Sequence, residues 1–341
     1  MADYMVHSPV AFLIFNRPDT TKKVFAAIAK AKPRQLLVVA DGPRSGRQGE
    51  AEKCAAAREV IKKIDWDCEV STNYSETNLG CKRCVSQGLN WVFDTVDRAI
   101  VLEDDVLPDS TFFRYCDELL DRYENDQRVG GIGGCNFQNG IRRTPYSYYF
   151  SRCVHIWGWA SWARAWKYYD VEMTLWPLVR DGRYLNGLSP NVHSFYYWQA
   201  ILQEVHQGKI DTWDYQWAFS CWVNNMLFVL PAANLITNIG FGPGATHTSG
   251  SSRFSNLSTQ PVDFPLVHPP FVMRDSEADS FSDVQWGISS KCGNQPNELT
   301  RIWSTARLYS LVLKLRAAIN LAKDGKWEAI RNKVKKHCQR I

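Results

Sequence analysis

The first apolar block, Val10-Ala11-Phe12-Leu13-Ile14-Phe15, is unbroken and ends at Asn16-Arg17, the pattern of a strand buried on both faces of a parallel sheet. Asp19 or Thr20 can cap a following helix, on which Val24, Phe25 and Ile28 recur at helical spacing. A second block, Leu36 to Ala40, stops at the turn signal Asp41-Gly42-Pro43. A helix over Ala51 to Ile64, a short strand at Cys68-Glu69-Val70 and a helix over Val85 to Val96 come next. Then Ala99-Ile100-Val101-Leu102 runs straight into Glu103-Asp104-Asp105. Strand and helix alternate about three times over this stretch, which predicts an α/β fold with a mostly parallel sheet and helices on both faces.

After Pro108 the pattern changes. A helix is predicted over Phe112 to Tyr123, then a loose segment from Gly130 to Pro145 and an aromatic-rich stretch from Tyr146 to Tyr169. Ser194 to Val223 reads as helical and aromatic, Leu227 to Leu230 as a late strand, and Gly240 to Ser252 as a loop. The polar, Pro-containing residues 253–300 read as an extended arm across the surface. In residues 301–341, Leu308, Leu311, Val312, Leu315 and Ile319 make one helical stripe and Trp327, Ile330 and Val334 a second, parted by Asp324-Gly325.

Composition sharpens this picture in three places. Apolar residues are 45% of the 341, enough for a sizeable core, and 14 Trp supply rings that stack on sugars and bases or simply fill that core. The net charge of +5 is uneven: residues 301–341 carry 11 Lys or Arg against 2 Asp or Glu, so the body is mildly acidic and the tail basic. That tail could rest on anionic lipid through Lys326, Arg331, Lys333, Lys335 and Lys336, or be the solvated face of a helix pair. Nucleic-acid binding is disfavoured, because no aromatics interleave with these charges. Met1 to His7 lack a basic signal-type start, and no stretch approaches the ~20 apolar residues of a membrane span. A cytoplasmic protein is expected, at most peripheral at the inner membrane face, with its ten cysteines as free thiols. Cys81 and Cys84 have CxxC spacing without a second pair, which suits thiols on a helix better than a metal site.

The sharpest chemical feature is the strand that ends in Glu103-Asp104-Asp105. In open α/β sheets, ligands bind outside the carboxyl ends of strands. Three crowded carboxylates need a counter-charge, which Mn²⁺ or Mg²⁺ could supply, or they form a solvated acidic turn. Asp41, Asn16 and Arg17 end neighbouring predicted strands and would share that edge, a plausible cradle for a nucleoside diphosphate. Neither GxGxxG after a strand nor GxxxxGK[ST] is present; Gly130-Gly131-Ile132-Gly133-Gly134 follows a helix and is not a dinucleotide fingerprint.

Leu102-Glu103-Asp104-Asp105, followed by Pro108-Asp109 and Phe112-Phe113, resembles the acidic motif of N-acetylglucosaminyltransferase I and its bacterial relatives, glycosyltransferases of the GT-A fold. In the same order, Ile14-Phe15-Asn16-Arg17 resembles that family's first strand and phosphate-contacting arginine, and Val38-Val39-Ala40-Asp41 the strand whose Asp meets the nucleoside. Trp157-Gly158-Trp159 resembles a Gly-Trp loop beside the donor sugar, and Trp213-Asp214 with Trp217 the segment of the catalytic base. The likeness covers about residues 8–250, and residues 1–252 would be the transferase domain, divided near residue 125 into nucleotide and acceptor halves.

The resemblance implies an inverting, metal-dependent transfer of a sugar, GlcNAc-like, from a UDP-sugar to a saccharide or lipid-linked saccharide hydroxyl in bacterial surface polysaccharide synthesis. Arg17 would contact the diphosphate with Asn16 beside it, Asp41 the base, Asp104 the ribose and Asp105 the metal, while Glu103 orients the sugar. Trp157, Gly158 and Trp159 would line the donor sugar, with Trp162 as a further wall. Asp214 would be the general base, although the family's two adjacent acids become Asp214-Tyr215 here, which leaves Asp211 and Glu204 open as the base. His247 is the candidate further metal ligand, and His155 either touches the sugar or is structural. Two other readings share the acidic edge: a nucleotidyltransferase acting on sugar phosphates, and a sugar-binding or assembly protein of the same fold without turnover.

Overall fold

The computed structural model describes residues 4–188, 192–241, 254–286 and 288, all within one compact unit, Met1–Ser289. His247, the basic tail 301–341 and most of the predicted loop 240–252 lie outside the described residues.

The first half follows the apolar blocks. β1 (Val10–Ile14), α1 (Pro18–Ala31), β2 (Gln35–Ala40), α2 (Glu50–Ile61), β3 (Glu69–Tyr74), α3 (Cys81–Thr95) and β4 (Arg98–Glu103) alternate strictly. Pro18 opens α1, where its missing N–H costs nothing, and Lys32 closes it in the left-handed conformation. The second half is β5 (Val106–Pro108), α4 (Phe112–Arg122), β6 (Val129–Gly133), β7 (Tyr148–Ser151), β8 (Trp159–Trp162), α5 (Ala163–Trp166), α6 (Trp176–Asp181), α7 (Val192–His206), α8 (Asp214–Val223), β9 (Leu227–Pro231), β10 (Ile236–Asn238) and α9 (Ser276–Gln285).

One eight-stranded sheet carries the fold, in the order β3-β2-β1-β4-β8-β6-β9-β7, and β10 pairs with β5 in a two-stranded ribbon. β3, β2, β1 and β4 are parallel, as expected. Beyond β4 the sheet is mixed rather than mostly parallel: β8 lies antiparallel to both β4 and β6, and β7 antiparallel to β9. The crossover through α4 leaves β6 running in the same direction as β4, and β8, which reaches the sheet from a loop, inserts between them in the opposite sense, while β7 fills the edge beside β9.

The alternating sides of β1 seed two cores. Val10, Phe12 and Ile14 pack with Val24, Ile28 and Phe112, while Ala11 and Leu13 face Leu89, Val92 and a tryptophan cluster of Trp159, Trp166, Trp213 and Trp217. A smaller helical lobe packs Met173, Trp176, Leu202 and Phe219. None of the described helices is long and apolar enough to cross a membrane.

Two expectations change. Gly130 to Gly133 is a buried strand, β6, not a loose segment, because neighbours occupy the space its side chains would fill: a Cβ on Gly131 would come within 2.5 Å of the Phe228 ring. Within the predicted arm, residues 276–285 form α9, started by the Asp275 carboxylate accepting the Ala278 N–H at 2.9 Å. α9 is held by charge more than by grease. Arg152, 3% exposed, meets Asp283 at 2.5 Å; Arg274 meets Asp279; Ser194 on α7 donates to Asp283 at 2.7 Å; and Ser151 donates to Asp279.

Candidate functional site

The register of three strands brings their carboxyl ends to one line. Leu13 lies opposite Glu103 and Ile14 opposite Ala40, so Asn16-Arg17, Asp41 and Glu103-Asp104-Asp105 leave the sheet at one edge. Arg17 spans the acidic turn: Nη2 is 2.9 Å from Asp104 Oδ1 and Nη1 is 3.0 Å from Asp105 Oδ2. Burial works against the charge on Arg17, but Asp104 and Asp105 outweigh it and raise its pKa. Asp104 is only 2% exposed and also accepts the Phe15 N–H at 3.1 Å; burial, opposed by Arg17, pushes its carboxyl up to about 6.

Asp41 and Asn16 are already engaged by the protein. The Asp41 carboxylate accepts the N–H groups of Gly42 and Leu79 at 2.8 Å and Gly80 at 3.1 Å, and the Asn78 amide at 2.9 Å. It therefore fastens the end of β2 to the loop before α3. Asn16 donates to Glu50 at 2.9 Å, and Glu50 is held down to about 2, chiefly by hydrogen bonds from Arg44. Arg44, whose guanidinium sits 5.7 Å from the Phe15 ring centre, and Arg58, which donates to the carbonyls of Asp41 and Ser75, were not singled out from sequence. The run Asp41-Gly42-Pro43-Arg44 directly after a strand was the available signal for Arg44.

Glu103 is the most perturbed acid of the turn. Burial first, then Asp105 and Asp104, push its carboxyl up to about 8, and Asp214 adds to the same effect. Its Oε1 is buried without a hydrogen-bond partner among the described residues. Asp214, first residue of α8, is thus within electrostatic reach of Glu103 and accepts a hydrogen bond from Thr212. The two alternative bases part company with it. Asp211 caps α3, accepting the N–H of Cys81 at 3.1 Å and of Lys82 at 3.0 Å, while Glu204 is exposed on α7. Cys81 lies near Glu103 and Asp214, and burial and these acids raise its pKa; burial pushes Cys84 up to about 12, so both stay protonated thiols.

The Gly-Trp loop divides its residues. Trp159 is fully buried among Trp166, Trp213 and Trp217, and Trp162, 2% exposed, donates to the Leu120 carbonyl; neither walls a pocket. Gly158 has φ +62, its carbonyl accepts the Gly134 N–H at 2.7 Å, and a Cβ there would collide with Ile236. Trp157 is partly exposed, its ring 5.8 Å from that of Phe241. Phe241 follows Gly240, which lies so close over Asp105 that a Cβ would overlap the carboxylate. His155 is buried and its pKa is driven down to about 3 by burial, so it is neutral.

Among the described residues, no three His, Cys, Asp or Glu side chains are gathered so as to hold a metal ion by themselves. The donor chemistry nonetheless fits a hard cation: carboxylate oxygens concentrate at one turn, Glu103 Oε1 has no partner, and a guanidinium stands where positive charge is required.

The chain matches no protein-family model and no curated protein. Among solved structures it is similar to the crystal structure of HddC from Yersinia pseudotuberculosis, at 7% identity and a TM-score of 0.29, over 46% of this chain and 77% of that one. A likeness of that size carries no argument about fold detail or activity.

Proposed function

We propose that this protein is a GT-A type glycosyltransferase that moves a sugar from a nucleoside-diphosphate donor, UDP-linked, to a saccharide hydroxyl. The observation that carries this reading is Arg17 lying across Asp104 and Asp105 at the ends of β1 and β4, with Glu103 and Asp214 close by. A cation-binding acidic turn, a guanidinium for phosphate oxygens and a separate carboxylate are the parts that such a transfer requires.

Asp105, with Asp104 beside it, would hold Mn²⁺ or Mg²⁺, and that ion supplies positive charge for the departing diphosphate. Arg17 has two donors in a planar fork that suit diphosphate oxygens as well as carboxylates. Asp214 takes the acceptor hydroxyl's proton while its oxygen bonds to the anomeric carbon and the bond to the diphosphate oxygen breaks. A single displacement inverts that carbon. Burial raises the Glu103 carboxyl, and in its protonated form it can donate a hydrogen bond to the sugar instead of repelling Asp214.

Thermal shift with UDP, with and without Mn²⁺, tests the reading, since a ligand of the folded state raises the melting temperature by mass action. A shift with UDP that needs Mn²⁺ is expected. Absence of a shift with UDP and with every other nucleoside diphosphate would sink it.

A further inference from the structure

We propose that β3 is a pairing edge for a second copy of this chain: two β3 strands join antiparallel across a two-fold axis at Thr72, and two eight-stranded sheets become one. The sheet ends in β7 on one side and β3 on the other, and the chain treats the two edges differently. Beside β7, the Ser147 N–H donates to the Val267 carbonyl, Phe150 bridges to Arg274 and the Asp275 N–H donates to the Phe150 carbonyl, so a later segment lies on that edge. β3 pairs with β2 over all six of its residues, without a bulge, and with no other strand among the described residues. Its sequence, Glu69-Val70-Ser71-Thr72-Asn73-Tyr74, holds no Pro and no Lys, the residues that commonly guard an exposed edge.

The open edge is complementary to itself. Glu69 and Ser75 give their N–H groups to the carbonyls of Arg34 and Ala40, on the β2 side. Backbone groups alternate along a strand, so the N–H and C=O of Val70, Thr72 and Tyr74 point outward. A second β3 laid antiparallel sets Thr72 against Thr72 of the copy and Val70 against its Tyr74, which twice pairs a β-branched residue with an aromatic ring. Val70 is 39% exposed in the single chain, and the Arg58 guanidinium, 4.8 Å from the Tyr74 ring centre, props that ring. Charge agrees with the same axis. α2 returns over the sheet in the sense opposite to β3, so its acidic first turn lies toward Tyr74 and its basic end toward Val70. The axis therefore brings Glu52 of one α2 toward Lys63 of the other and toward Lys62, which Glu59 holds at 2.6 Å. Ala51 and Ala55, exposed along the groove between α2 and β3, leave room for that approach.

Sedimentation velocity of the full chain at micromolar concentration is expected to show a dimer. Thr72→Lys, which sets two ammonium groups across the axis, is expected to raise its dissociation constant at least about tenfold. Thr72→Val adds no charge and should stay within about threefold of the native chain. A monomeric native chain, or a dimer that Thr72→Lys leaves intact, overturns the proposal. Hydrogen exchange asks the same of the unsubstituted chain, whether or not the lysine variant folds. The Thr72 N–H should exchange slowly in the dimer and at least about tenfold faster once dilution separates the copies. Fast exchange at every concentration overturns the pairing, and so does protection that dilution does not change, since the chain's own residues would then cover the edge. No nucleotide enters these measurements, so the transferase reading stands or falls separately.

Discussion

Arg17 joins Asp104 to Asp105, one terminal nitrogen to an oxygen of each, at 2.9 and 3.0 Å. Removing it leaves two carboxylates, one of them buried, with no counter-charge. Arg17→Ala is therefore expected to lower stability by about 3 kcal/mol, the lower end for a broken buried pair. Millimolar Mn²⁺ should restore more stability to the variant than it adds to the native chain, read by urea unfolding. Equal effects of Mn²⁺ on both would mean that the turn does not take a cation in place of the guanidinium.

Gly240 has no room for a side chain. Gly240→Ala must displace the Asp105 carboxylate, so cation-dependent UDP binding should weaken by about tenfold, roughly 1.4 kcal/mol. Isothermal titration with UDP and Mn²⁺ checks it, and unchanged affinity would remove Asp105 from the binding site.

Glu103 makes stability depend on pH. Its carboxyl is raised from 4.5 to about 8, so the folded state holds a proton that the unfolded chain releases above pH 4.5. The protonated side chain's advantage is complete below pH 4.5 and is lost as pH rises to about 8. Glu103→Gln, always neutral, should gain on the native protein across that window, its lead in melting temperature growing steadily from pH 5 to pH 8.5. A constant gap from pH 5 to 8.5 would contradict the raised pKa.

Asp214 and Asp211 separate chemistry from architecture. Asp214→Asn should keep UDP binding and lose about 10²–10⁴-fold in transfer, the range for a positioned base. Asp211→Asn should cost about 1 kcal/mol, as for a lost helix cap, and leave transfer within about twofold. Donor turnover by both variants decides between them, and the reverse ranking would make Asp211 the base.

The parallel half of the sheet was legible because Val10 to Phe15, Leu36 to Ala40 and Ala99 to Leu102 are apolar throughout and end abruptly. Asp104, Asp105 and Arg17 could be placed on one edge for the same reason. β6 was not, since its glycines disfavour strand and are explained by Met226, Phe228 and Leu230 from distant parts of the chain. α9 was hidden differently. Its buried positions include Asp279, Ser282 and Asp283, so no apolar stripe marks it. Trp157 and Trp159, two apart, would share a face of a continuous strand, but β8 starts only at Trp159 and Gly158, at φ +62, turns the chain between them, so one ring is partly exposed and the other buried.

Arg152 also sets an order for making the molecule. It lies on the rim of the sheet with its counter-charges 127 and 131 residues later, on Asp279 and Asp283. Until α9 has left the ribosome, the guanidinium must stay hydrated, and the strands around it cannot shut. A chain that ends before Asp279 is expected to keep an open flank that proteases and chaperones can recognise.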